Sequence, residues 1–155
     1  MTEPVVHRLT VTGNADQLGA SLQAIRDFVM DASARAGLEK QAASRLRLAV
    51  DEVATNIILY GYRDSGLQGD VIIESVLTDS DLRVSLIDQA LAFNPLDDHA
   101  MPTEDELDDP LEDRAIGGLG IFLVIRNVDD FKYEYIDGKN YNHFIMKRAK
   151  AVQAD

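Results

Sequence analysis

The sequence has no cysteine, which excludes disulfides and thiolate metal sites and leaves the redox compartment open. It is also short of cations: 15 Lys and Arg stand against 27 Asp and Glu, a formal charge of -12. That balance argues against nucleic acid as a partner, whose phosphates would be repelled, and favours a basic protein surface. No apolar run is long enough to span a bilayer, and Met1 to Arg8 lacks the basic-then-apolar layout of a secretion signal. A cytoplasmic protein with no membrane partner is therefore expected. The three histidines, His7, His99 and His143, show no metal-ligand spacing and read as surface or packing residues.

What is present is ordinary globular material, with 46% hydrophobic and 27% charged residues, enough to bury a core. A length of 155 residues suits one domain spanning 1–155. Val5–Thr12 alternates and holds β-branched residues, so it predicts an opening strand ended by Gly13-Asn14. Asn14 and Gln17 make a capping-box-like start for a helix whose apolar spacing runs Leu18, Leu22, Ile25, Val29 and Ala32, until Gly37 stops it.

A second helix is predicted from about Glu39 to Tyr62, with Leu46, Val50, Val53, Ile57 and Tyr60 on one face at about 100° per residue. Glu52 and Asn56, one turn apart, fall on the flank of that stripe, while Leu48, Ile58 and Leu59 leave apolar surface off it. Val71–Thr78 and Leu82–Asp88 read as a hairpin around Asp79-Ser80. In its second strand Leu82, Val84, Leu86 and Asp88 point one way, which sets a carboxylate at the end of an apolar face.

Residues 94–116 carry Pro95, Pro102, Pro110 and a dense acidic run without EF-hand spacing, and read as a mobile loop with a solvated face. Ile116-Gly117-Gly118-Leu119-Gly120 opens a short helix to about Val128, and Phe131–Ile136 with Tyr141–Lys147 forms a hairpin around Asp137-Gly138. The order predicts an α+β fold, a two-layer α/β sandwich with a mostly antiparallel sheet and helices on one face.

Three segments carry candidate chemistry. Asp51-Glu52-Val53-Ala54-Thr55-Asn56 lies on the second helix, Asp88-Gln89-Ala90-Leu91-Ala92-Phe93-Asn94-Pro95 follows a strand, and Gly117-Gly118-Leu119-Gly120 starts a helix. Alone, each has a plain reading: a polar pair on a helix, a loop-capping Asp, a glycine hinge. In this order and context they resemble the N, G1 and G2 boxes of the GHKL (Bergerat-type) ATPases over nearly the whole chain. The run Leu111 to Ile121 is most similar to the anti-sigma-factor serine/threonine kinase branch.

The resemblance implies ATP and Mg²⁺ as cofactors, with Asn56 as the metal ligand and Glu52 as the general base that polarises a seryl hydroxyl. It implies that Asp88 meets the adenine amino group, that Ala90 lies beside it, and that the acidic loop closes over nucleotide as a lid. Gly117, Gly118, Leu119 and Gly120 would cradle phosphate, with Arg114 the nearby cation. The partners it implies are a sigma factor and a small anti-anti-sigma (STAS-type) protein phosphorylated on serine, with a homodimer as the expected assembly. The alternative reading is a non-catalytic member of the same fold that works by sequestering a partner. Two departures stand out: Ala90 and Ala92 replace the usual glycine and a second small turn residue, and His143 aligns with a threonine found near the adenine pocket of many relatives.

Overall fold

The computed structural model describes residues 3–96 and 126–149. Strand β1 (Val5–Thr12) leads through a 3₁₀ turn into helix α1 (Leu18–Ala36), which is followed by helix α2 (Lys40–Asn56). Strands β2 (Asp70–Leu77), β3 (Asp81–Asp88), β4 (Asp130–Ile136) and β5 (Lys139–Lys147) complete a five-stranded sheet of order β1-β2-β3-β5-β4. Every pairing among these strands is antiparallel. The predicted fold class and the bounds of β1 hold.

Local chemistry explains the ends of the elements. Asn14 accepts a hydrogen bond from the Asp16 N–H, 2.9 Å, and so caps the 3₁₀ turn ahead of α1. Gly37 ends α1 with a left-handed φ of 72°, a conformation that costs glycine little. The β4–β5 turn has Asp137 at φ 53° and Gly138 at φ 77°, the two positive values that a type I′ hairpin requires.

Register sets which residues meet the helices. Across β2, β3 and β5 the rows Val71/Asp88/Asn140, Ile73/Leu86/Asn142, Ser75/Val84/Phe144 and Leu77/Leu82/Met146 all turn to the helical layer. Ile25 and Val29 of α1 and Leu46 and Val50 of α2 are fully buried against this floor. Each such side chain stabilises the fold by about 1.5–3 kcal/mol through burial. At the far end of β3 from Asp88, Arg148 donates to the Ala36 and Thr78 carbonyls, 3.0 and 2.7 Å, tying the chain after β5 to the end of α1 and the β2–β3 turn.

The second helix departs from expectation. It is α-helical only to Asn56 and then continues as a π-helical segment, Ile57–Arg63. The Asp64 N–H reaches the Leu59 carbonyl, five residues back, at 3.0 Å. This wider turn brings Tyr62 back over Ile57, so Tyr62 is buried where Tyr60, predicted for the core stripe, is only half-buried. Ile58, expected to add apolar surface, is fully buried one turn after the equally buried Ala54, while Leu48 is exposed.

Candidate functional site

A cavity of about 320 Å³ lies between the α2/π helix and the ends of β3 and β5. Its lining includes Asn56, Gly61, Asp88, Ala90, Asn140 and Asn142. Three of the residues singled out in the sequence, Asn56, Asp88 and Ala90, thus share one wall system. Glu52 is half-buried one turn before Asn56 and does not itself line the cavity. Arg114, Gly117, Gly118, Leu119 and Gly120, and the acidic loop from 97 onward, lie outside the described residues.

Asp88 is 2% exposed, and its two oxygens have different fates. Oδ1 accepts from the Ala90 N–H at 2.9 Å and from Asn140 Nδ2 at 2.9 Å, whereas Oδ2 is buried without a donor among the described residues. Burial raises the carboxyl pKa above the ordinary aspartate value, and the bonds from Asn140 and Ala90 pull the other way. Asn142, two residues along β5, likewise buries an Oδ1 with no donor among the described residues. A buried acceptor without a donor costs about 1–3 kcal/mol, so two of them on one cavity point to a ligand or water that brings N–H or O–H groups.

Asn140 fixes the loop after β3. Besides Asp88, its Nδ2 donates to the Ala90 and Leu91 carbonyls at 3.3 and 3.0 Å, and its Oδ1 accepts from the Phe93 N–H and the Tyr133 hydroxyl. Tyr62 fixes the other side. Its hydroxyl donates to the Asp70 carbonyl and accepts from the Gln89 N–H, both 2.8 Å, and its ring is wedged against the backbones of Gly13 and Gly69. Ala90 has no positive φ, so the methyl in place of glycine is compatible with the backbone conformation there.

On the helix, Asp51 is held by both arms of Arg26 of α1 at 2.9 and 3.0 Å. Burial, and secondarily the charge of Asp51, raises the Glu52 pKa above the ordinary value. A carboxylate so placed is a better proton acceptor than an exposed one.

The expectation that His143 takes the place of a pocket threonine is corrected. With Asp88 opposite Asn140, only Asn140, Asn142, Phe144 and Met146 of β5 face the helices, and His143 faces the opposite side of the sheet. There its Nδ1 pairs with Ser85 Oγ, 2.6 Å, and its Nε2 with Glu134 Oε2, 2.9 Å. Asn140, Asn142, Gly61 and Tyr62 were missed from sequence. The parity of β5 against Asp88 was the signal available for the two asparagines.

Among the described residues no helix is long and apolar enough to cross a membrane. The chain is similar to a serine-protein kinase RsbW of Listeria monocytogenes serotype 4a (strain HCC23), with 28% identity over 106 residues, 68% of this chain and 67% of that protein. It is similar to an anti-sigma F factor of Clostridium acetobutylicum, with 26% identity over 148 residues, 96% of this chain and 86% of that protein. A serine-protein kinase RsbW of Oceanobacillus iheyensis is 26% identical over 129 residues, 82% of this chain and 68% of that protein. Residues 16–148, which include both helices and strands β2 to β5, match the histidine kinase-like ATPase domain. The chain therefore belongs to the histidine kinase-like ATPase domain family, with anti-sigma-factor serine kinases among its relatives.

Proposed function

We propose that this chain binds ATP with Mg²⁺ and acts as a serine protein kinase on a small antagonist protein of the anti-anti-sigma type, while also sequestering a sigma factor. The observation that carries the reading is the pair of buried acceptors without donors, Asp88 Oδ2 and Asn142 Oδ1, in a cavity that Asn56 also lines. These residues fit the proposed ligand: an adenine amino group brings N–H donors, and a neutral amide oxygen suits Mg²⁺. Bound ATP with Mg²⁺ would supply the transferable phosphoryl group and its charge neutralisation.

The chain's own residues supply the rest. Asp88 takes the base, with Ala90 packed beside it, and Asn56 holds the metal. Glu52 accepts the seryl proton. Arg26 offsets the charge of Asp51 and so limits how far that neighbour disfavours ionised Glu52. Gly117, Gly118, Leu119, Gly120 and Arg114 are assigned to the phosphates by resemblance. A sigma factor and a protein serine substrate follow from what the relatives are named for, the anti-anti-sigma identity of that substrate is assigned by resemblance, and the net charge of -12 suits a basic protein surface. A cytoplasmic homodimer is part of the same reading.

The test is transfer to serine of an anti-anti-sigma protein, read by mass spectrometry with ATP and Mg²⁺. Glu52→Ala should lower the rate by about 10²–10⁴-fold, the range of general-base contributions, and leave ADP affinity nearly unchanged. Undiminished transfer would remove Glu52 from the mechanism. If calorimetry detects no binding at millimolar nucleotide, the alternative of a purely sequestering module takes over.

A further inference from the structure

Gly61 of the π segment and Ala90 after β3 face each other on the cavity wall. A Cβ built on Gly61 would come within 2.9 Å of the Ala90 Cβ, closer than side chains approach. Among the described residues the positive-φ glycines are Gly37, Gly66 and Gly138, so Gly61 is needed for space and not for backbone conformation.

Neither side of this contact yields easily. The Ala90 methyl is fixed to a backbone that Asn140 holds through Asp88 Oδ1 and the Ala90 and Leu91 carbonyls. Gly61 adjoins Tyr62, which is wedged by Gly13 and Gly69 and bonded to both Asp70 and Gln89. An added methyl at 61 would therefore push on the loop that presents Asp88.

We propose that Gly61 and Ala90 are a matched pair that sets the width of the base-binding end of the cavity, the methyl gained at 90 filling the space left at 61. Gly61 is then a specificity-determining residue. The proposal rests on the cavity being a nucleotide site. Ala90 adjoins Asp88, its N–H bonded to the carboxylate, so the pair governs how much room a base has at the group Asp88 receives.

A double-mutant cycle tests it with wild type, Gly61→Ala, Ala90→Gly and the double variant. The thermal midpoint is one readout, and dissociation constants for ADP and N6-methyl-ADP are the other. Alanine for glycine ordinarily stabilises a helical position, yet Gly61→Ala should lower the midpoint and weaken ADP about tenfold. The double variant should recover both, and Ala90→Gly alone should bind N6-methyl-ADP more tightly than wild type does.

Should Gly61→Ala fail to fold, folding of the double variant is the rescue, and its failure as well would overturn the pairing. Additive effects would overturn it too. Recovery of the midpoint with no change in either nucleotide constant would overturn the claim about the cavity. A wild type that binds no nucleotide would sink the kinase reading, and the midpoint cycle alone would then decide whether 61 and 90 are coupled.

Discussion

Strands β3 and β5 carry two polar clusters, one on each face of the sheet, and they differ in what is left over. On the face away from the helices Ser85, His143 and Glu134 form a chain in which each side chain has a partner. A serine, a histidine and a carboxylate in line are the residue types of an acyl-transfer nucleophile, but Ser85 is 1% exposed, which keeps its hydroxyl from any substrate carbonyl. On the helical face Asp88, Asn140 and Asn142 are also buried, yet two acceptors there have no donor among the described residues. A polar cluster that satisfies itself holds strands together. One that ends in unmatched acceptors on a cavity is arranged for something else to complete it.

Asp88→Asn should break this contrast most. Its Oδ1 can keep the bonds from Ala90 and Asn140, while the new amide turns a donor toward the cavity where an acceptor stood. Adenine nucleotide affinity is expected to fall roughly 10- to 100-fold, the worth of a hydrogen bond to a charged group, about 1.5–3 kcal/mol. Calorimetry with ADP checks this.

On the other face, Ser85→Ala should leave ADP affinity unchanged and cost about 1 kcal/mol in denaturant unfolding, the net worth of one internal hydrogen bond. A loss of nucleotide affinity in that variant would erase the distinction between the faces.

The smallest effect is in pH dependence. Burial raises the folded-state pKa of Asp88, so the folded chain holds this proton more tightly than the unfolded chain. The stabilisation is complete below the ordinary carboxylate value and is lost as pH rises through the raised value. Melting curves should therefore show the stability of Asp88→Asn gaining on wild type as pH rises across that interval, with no such drift for Ser85→Ala.

The legible parts of the molecule were those with a local cause. Gly37 and Asp137-Gly138 announce a helix end and a tight turn because only a few residues accept positive φ, and Asp88 stood out as a charge closing an apolar alternation. The π segment was not legible. Nothing between Ile57 and Arg63 marks a wider turn, which comes from docking Tyr62 against Gly13, Gly69 and the end of β3. Asn140 stands just ahead of the predicted strand Tyr141–Lys147 and Asn142 within it, and only the register with β3 turns both to the side of Asp88. Gly61 likewise reads as a helix weakness until Ala90, distant in sequence, is brought against it.

Arg148 has a practical corollary. It anchors the chain beside Thr78 and Ser80, where β3 begins, while the cavity opens where β3 ends at Asp88, about 23 Å away at the usual rise per residue. A fluorophore or surface tether attached at Ala149 would thus leave the cavity mouth clear, which makes that end the natural handle for an immobilised binding sensor.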